Sequence, residues 1–442
     1  MAQKELKSGG EFNIVQCDLV LSSGKVVGLL ASIIGLTIFE SIEEVTVTGV
    51  ITIQDAFNLA SFGPIIGQEY LRLKIATPNL SGGENIIDFS SNPFIVTAVN
   101  DRVEIGNGVQ ATTMSFCSRE FMINQRSTVR RNLVGSYSEI VRTMIKKDLD
   151  SGKELYIEPS GEKKKIIAPN ITPFDIVRIA MKYAVSKEGN QPTYLFWETT
   201  SRFNFRTLAE IYAQPPVMTY EKTISGTRTQ NGVRDILSEL SAIENYKITG
   251  STDTMWNYSK GIFSSELIVH DIMSKSYQKH IYNYNESFAN EKHLGKEPIA
   301  VNDPDGVSVS SFPARQYLKP AVGMGTLDES YEDGCYGYSF NPNNFNLMQS
   351  RKSQLGMLEG GLQLNIDVVG TTVVKAGDIV EIKIPSVSAV KTPQNETIDM
   401  LYNGNFLIRS LRHDFDIPNT KHRISMNVIK DSFEPSKARG TI

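Results

Sequence analysis

From Gly377 to Phe433 the chain alternates cleanly between apolar and polar residues. The run Asp378-Ile-Val-Glu-Ile-Lys-Ile-Pro385 sets Val380, Ile382 and Ile384 on one face and Glu381 and Lys383 on the other, the period of a strand with one buried side. Pro385 ends it, because proline has no N–H to give to a ladder. A loop rich in Pro, Ser and Asn leads to Gly404–Phe415, a turn at Ile417–Thr420 and a further run at Arg423–Ile429. This order predicts an antiparallel meander.

The same pattern occurs near the N-terminus. Gly67–Ile75 alternates with Leu71, Leu73 and Ile75 inward, Pro78 follows, and Phe94–Val99 and Ala111–Phe116 complete a second meander. Laid without gaps at one offset, Phe94 falls on Phe406, Ile105 on Ile417, Asn107 on Asn419, Met114 on Met426 and Phe121 on Phe433, with Val99 on Leu411 and Val103 on Phe415. Five identities over 28 positions are few, and any two hairpins share alternation. The order of elements adds the weight: strand, Pro-containing loop, strand, turn, strand. The expectation is an internal duplication in which Phe94/Phe406, Met114/Met426 and Phe121/Phe433 are equivalent.

The period changes only after the first meander and the strands around it. Residues 11–122 read as β throughout, a small antiparallel barrel or sandwich, with the 14-residue apolar run Val26–Phe39 as a buried strand or hairpin. Tyr137–Leu149 carries Ile140, Val141, Met144, Ile145 and Leu149 on one helical face. A second helix opens at Thr172-Pro-Phe-Asp175, where Thr caps, Pro takes the first turn and Asp returns a bond; it is expected to run to about 187. Pro192–Arg206 is dense in aromatics and reads as a hairpin whose rings pair in a core; a ring-stacking glycan site around Trp197 is the competing reading. Ser264–Phe288 reads as strand. Residues 289–343, with many Pro, Gly, Asp and Asn, read as an exposed insertion. Asn344–Leu358 reads as a helix stopped by Gly360-Gly361.

Composition narrows the function classes. With 40% hydrophobic and 21% charged residues in 442, the chain has material for two to four packed domains. A net charge of −4 gives no electrostatic ground for holding nucleic acid or an anionic membrane. Cys17, Cys117 and Cys335 are too scattered for a disulfide framework or a zinc site. The N-terminus lacks a signal-peptide core, and Val26–Phe39 is shorter than the ~18 residues needed to span a bilayer, so a soluble protein is expected.

Catalytic patterns are missing. There is no phosphate loop, no nucleophile elbow and no zinc helix. The histidines His270, His280, His293, His413 and His422 lack ligand spacing, and His413-Asp414 has no partnered nucleophile. No catalytic residue, cofactor or metal is therefore expected, which moves the reading toward structure or assembly.

Gly377–Pro385 followed by Tyr402–Phe415 resembles the C-terminal signature of the baseplate hub proteins of contractile-tailed phages, which are related to the N-terminal regions of type VI secretion spikes. Tyr194-Leu-Phe-Trp-Glu-Thr-Thr with Phe203-Asn-Phe-Arg206, after the capped helix at Thr172, is similar to the central block of T-even-like hubs. Residues 289–343 have no counterpart.

The resemblance implies a mainly β fold with an α/β portion: two tail-tube-like antiparallel barrels related by duplication, with an α/β domain between them. The expected boundaries are 1–122 for the first barrel, 123–210 for the α/β domain, 211–250 with 350–433 for the second barrel, 251–349 completing the α/β region, and a tail at 434–442. It also implies a structural, non-enzymatic homotrimer of the virion tail, assembled in the host cytoplasm. Its partners would be the tail tube protein, the central spike protein and the surrounding wedge or ring proteins, with DNA only in transit and no stable membrane association. A hub with added cell-wall hydrolase or peptidase activity, and a carbohydrate-binding tail component, are the alternatives.

Overall fold

The computed structural model describes residues 9–55, 65–78, 84–106, 109–161, 163–222, 229–230, 233–234, 236–250, 252–272, 275–303, 305–321, 336–337, 345–385 and 401–434. The fold is mainly β, and its frame is one 14-stranded sheet. The N-terminal half supplies β1 (Asn13–Val20), β2 (Val26–Gly28), β3 (Ile33–Ser41), β4 (Thr48–Asp55), β5 (Tyr70–Pro78), β6 (Glu84–Asp88), β7 (Phe94–Gly106) and β8 (Val109–Ser118). Later segments supply β9 (Met218–Glu221), β10 (Ile243–Gly250), β11 (Leu362–Val369), β12 (Ile379–Lys383), β13 (Gly404–Asp416) and β14 (Lys421–Lys430). The path runs β10-β11-β14-β13-β3-β4-β8-β7-β5-β1-β2, with β6 on β5 and with β12 between β13 and β9. Val26–Phe39 thus divides into β2 and most of β3.

Five strands repeat between the two halves, β3, β4, β5, β7 and β8 in one and β10, β11, β12, β13 and β14 in the other, whereas β1 pairs antiparallel with β5 and β9 parallel with β12. Met114 of β8 lies between Val99 of β7 and Ile51 of β4, and Met426 of β14 lies between Leu411 of β13 and Ile366 of β11. Leu71 faces Phe94 across β5 and β7, as Val380 faces Phe406 across β12 and β13. Each long hairpin carries a bulge at the same place, between Val96 and Ala98 in one and Ile408 and Ser410 in the other. A second bulge repeats as well, between Ile33 and Gly35 of β3 and between Ile243 and Asn245 of β10. Because a one-residue slip would move every apolar side chain to the wrong face, shared bulges are a sharper likeness than shared alternation. Gly67 and Gly377, which precede β5 and β12, both take positive φ, at 89° and 90°, a region that side chains other than glycine's seldom occupy.

The likeness has limits. β7 has a further bulge between Val99 and Asp101 that β13 lacks, so Val103 pairs with Ala111 while Phe415 pairs with His422. Val103 points to solvent and Phe415 into the core, which corrects the expected match of Val103 with Phe415. Phe121 and Phe433 also differ: Phe121 is exposed on helix α1 (Arg119–Arg126), and Phe433 belongs to the short strand Ser432–Phe433. The two segments part at the end of the hairpin, so that identity has no shared surroundings.

Each half closes over its own apolar core. Leu19, Leu36, Ile38, Ile51, Leu71, Phe94, Met114 and Phe116 are in the first core, Ile366, Val380, Ile382, Phe406, Leu411 and Met426 in the second. A third core lies under α2 (Tyr137–Thr143), which runs on as a π-helical turn to Asp148, and α3 (Pro173–Tyr183), packed on the strands Tyr194–Glu198 and Arg202–Thr207. α2 starts with a complete Ser136/Glu139 capping box, and Thr172 caps α3 by accepting from Asp175 N. α3 stops at Tyr183, short of the expected 187. The helix α4 (Phe345–Gly360) covers strand Ser264–Asp271.

The stretch 289–343 is not a free insertion where it is described. Strand Arg315–Ala321 pairs parallel with Ser264–Asp271, and Glu297–Pro298 pairs with Ser432–Phe433. Leu294 and Gly295 donate their backbone N–H groups to Asp431 Oδ1 (3.1 Å) and Ser432 Oγ (2.5 Å). These bonds supply an order that the hydropathy pattern does not reveal. Residues 322–335 and 338–343 lie outside the described set.

Phe94 and Phe406 are each wholly buried. Replacing either with Ala leaves a ring-sized cavity, and each change is expected to lower stability by about 3–5 kcal/mol in urea denaturation, whereas Phe121→Ala is expected to cost under about 1 kcal/mol.

Candidate functional site

The feature with most to say about function is the joint where the two halves become one sheet. From Ser410 to Asp416, β13 pairs antiparallel with Ser41 to Gly35 of β3. On the outward face Thr37 Oγ1 donates to Asp414 Oδ1 (3.0 Å), and at one end the Arg409 guanidinium donates twice to Glu43 Oε1 (2.6 and 3.0 Å). On the inward face Leu36, Ile38, Leu411 and Phe415 are buried. Phe415 stacks on His422 at 4.2 Å and meets Phe12 edge-on at 5.1 Å.

Two buried carboxylates fasten the third core to this joint. Glu40, on β3, accepts from Thr200 N (2.6 Å) and Ala376 N (3.0 Å), so that a single side chain ties β3 to the loop after strand Tyr194–Glu198 and to the turn before β12. Burial pushes its pKa up to about 7, in opposition to those hydrogen bonds. Glu198 accepts from Val47 N (2.9 Å), between β3 and β4, and pairs with Lys153 Nζ (2.5 Å). Lys153 also pairs with Glu120 Oε2 (2.8 Å), which in turn accepts from Ser151 Oγ (2.6 Å) at its other oxygen. Burial works against the Lys153 ammonium, but the two carboxylates outweigh it and hold its pKa above the ordinary lysine value. Burial raises Glu198, and Lys153, overcoming burial, lowers Glu120. Such an ionic network adds little net stability over an apolar core, but losing one member strands a buried charge.

The sequence-predicted residues fall around this frame. Trp197 is buried, donates from Nε1 to Ala376 O (2.9 Å), and lies so close to Gly377 that a Cβ there would come within 2.5 Å of its ring. It is a core bolt between the third core and the second half, with no face open for a glycan. His413 is buried with its Nδ1 3.0 Å from His422 Nε2. Burial, with a smaller push from Lys375, takes His413 down to about 3, and His422 is also well below its ordinary value. Both rings are buried among core groups, with no face open to a substrate. Asp414 is on the other face, bonded to Thr37 and Arg412. Among the described residues no group of three or more His, Cys, Asp or Glu could hold a metal ion.

Sequence reasoning missed Glu40, Glu198, Lys153 and Glu120. Glu40 alone left a signal, since alternation puts it in the inward file of Leu36 and Ile38. The others are joined only by the fold.

The outward face of the sheet is a field of small polar groups. Thr52 meets Thr113 (3.3 Å), Asn427 Nδ2 donates to Asn365 (2.7 Å), Ser425 Oγ donates to Asp367 (2.6 Å), and Arg412 is neutralised by Asp414 (2.6 Å).

No protein-family model and no curated protein matches this sequence. Solved structures do. A tail protein from Neisseria meningitidis MC58 superposes with a TM-score of 0.53 at 12% identity, over 95% of this chain and 97% of that one. The two share one fold. A 43 kDa tail protein of prophage MuSo2 from Shewanella oneidensis agrees, at 0.52 and 11% identity over 95% and 99%. A type VI secretion component from E. coli is more distant, at 0.42 and 7% over 96% and 79%. The likeness to these tail proteins runs through both halves and the third core, so it is a likeness of whole architecture and not of one barrel.

Replacing Glu198 with Ala leaves Lys153 facing Glu120 alone and Val47 N without its acceptor. A loss of about 3–5 kcal/mol is expected, read as an earlier thermal or urea transition. The histidines give a pH signature. Below about pH 6.5 the unfolded chain protonates them while the folded chain does not until far lower, so stability falls as pH drops through that window. Glu40, with its folded pKa raised, acts oppositely: its contribution is full below about pH 4.3 and is lost as pH rises through about 7. His422→Leu keeps Glu40 and removes one ring. Its unfolding free energy is therefore expected to decline less steeply between about pH 6.5 and 4 than that of the wild type.

Proposed function

We propose that this chain is the structural hub subunit of a contractile phage tail baseplate, acting without catalysis as a homotrimeric adaptor. The observation that carries the reading is the repetition of register and bulges between the two halves. A chain that repeats its sheet can present six similar surfaces from three copies, while its unrepeated third core presents only three. One assembly of this kind matches a hexameric tail tube on one side and a trimeric central spike on the other, which is the mismatch of symmetry that a tail must bridge. In this reading the repeat arose by duplication, the halves correspond to tube-like barrels at 1–122 and at 211–250 with 350–433, and the unrepeated core faces the spike and the surrounding baseplate proteins.

Passage of DNA fits the same arrangement. A net charge of −4 and an outward face of hydroxyls, amides and paired charges supply few free cations to neutralise phosphates. DNA would move past such a surface without being held, on its way out of a virion tail.

The mass of the protein in solution tests the assembly. Sedimentation or native mass spectrometry is expected to find a species of three times 49.1 kDa; a monomer at the highest soluble concentration overturns the adaptor reading.

A further inference from the structure

The internal joint has an unfilled counterpart. At the joint, β3 of the first half pairs with the C-terminal part of β13 of the second half. The strand equivalent to β3 is β10, since Leu36 and Tyr246 pair with the equivalent residues Ile51 and Ile366. The strand equivalent to β13 is β7. Yet β10 ends the sheet path, and β7 meets β5 on its outer side at Phe94 and Ile95, with one more backbone bond from Val96 N to Glu69 O. The outer edge of β10 and the outer edge of β7 beyond Ala98 therefore have no strand partner among the described residues. They are the counterparts of the two strands that meet at the internal joint, at opposite ends of the repeated frame.

Exposure follows the same division. Leu36 and Ile38 are 2% and 0% exposed in β3, whereas Tyr246 and Ile248 in β10 are 36% and 43% exposed. Leu411 is 2% exposed in β13, whereas Val99 in β7 is 36% exposed. Leu36, Ile38 and Leu411 are apolar and covered at the internal joint, while their counterparts Tyr246, Ile248 and Val99 are apolar and uncovered at the two edges; the buried His413 and Phe415 correspond to the exposed, charged Arg102 and Glu104. Long edges of this kind invite pairing with another chain. A single copy cannot pair its own two edges, because its internal joint lies between them.

Resting on the reading of the chain as a self-associating subunit, we propose that β7 of one copy pairs antiparallel with β10 of the next, reproducing the β13–β3 joint between chains. The register follows from the internal pairs. Asp414 opposite Thr37 translates, through their partners on β14 and β11, to Val103 opposite Lys247. His413 opposite Ile38 translates in the same way to Arg102 opposite Ile248. Val103 and Lys247 then share the outward face, where Asp101, two residues from Val103, lies diagonally within reach of the Lys247 ammonium. Contact between unlike edges is heterologous, so it closes into a ring when the rotation per copy allows.

The test is a cysteine pair. Val103→Cys with Lys247→Cys, both at exposed positions, is oxidised gently beside the wild type, each single variant, and a control pairing Arg102→Cys with Lys247→Cys, whose side chains leave the strands on opposite faces. Wild-type mass is measured in parallel. Most of the double variant is expected as disulfide-linked oligomer, at least tenfold above every control. Association of the wild type without that enrichment overturns the edge pairing and leaves the subunit reading standing. A wild type that stays monomeric throughout, with no linked species, overturns both.

Discussion

Seven residue pairs between β3 and β13 hold this molecule together. They turn two similar sheets into one, bring Phe415 of the second half into the core of the first, and fix the place at which Glu40 reaches both Thr200 and Ala376. The third core is then attached through side chains aimed at that seam, Glu198 at Val47 and Trp197 at Ala376. Strand pairing sets the frame and buried polar contacts set the angle of what hangs from it. Because the pairing is a ladder of backbone bonds, it tolerates sequence change on either face, which is consistent with a fold retained at 11–12% identity to the tail proteins it resembles.

The sequence was most legible where the repeat had kept its length. From Phe94 to Ser118 and from Phe406 to Lys430 no residue separates the two copies, so a single offset aligned both hairpins and set Met114 on Met426. It was silent where loops had changed. β3 and β10 lie 210 residues apart, β4 and β11 315 residues apart, and their identities, Ile33 with Ile243, Ile38 with Ile248 and Ile51 with Ile366, fall at two offsets different from that of the hairpins, so their equivalence became visible through register and bulges. Local bulges also defeated the ungapped comparison, as at Val103. Phe121 and Phe433 show the converse, an identity that outlives the shared geometry by three residues.

The candidate site was the least legible part. Alternation finds strands but not the strand that will lie beside them, since the partner of Thr37 is 377 residues away. The buried charges are likewise assembled from Glu120 on a helix, Lys153 in a loop and Glu198 on a strand, which form no motif. The aromatic density around Trp197 was readable as core because Tyr194, Phe196, Phe203 and Phe205 gather on one face of the hairpin, and rings so gathered have few other places to go. What could not be read was that one of those rings would seat against Gly377 and so join the third core to the second half.

The discontinuity of the second half has a consequence for how the chain is made. Its strands β9 and β10 are synthesised well before β11 to β14, so it cannot close until nearly the whole chain exists, while the first half is complete by Ser118. Until Ser410–Asp416 emerge, β3 keeps its outer edge bare, with Leu36 and Ile38 near it. Contacts of such long sequence separation form slowly, and a finished sheet with an open side is a target for wrong partners during that wait. The nascent protein is thus most vulnerable at the strand that later becomes its most secure, and a chaperone that shields that side would be guarding the seam on which everything else is hung.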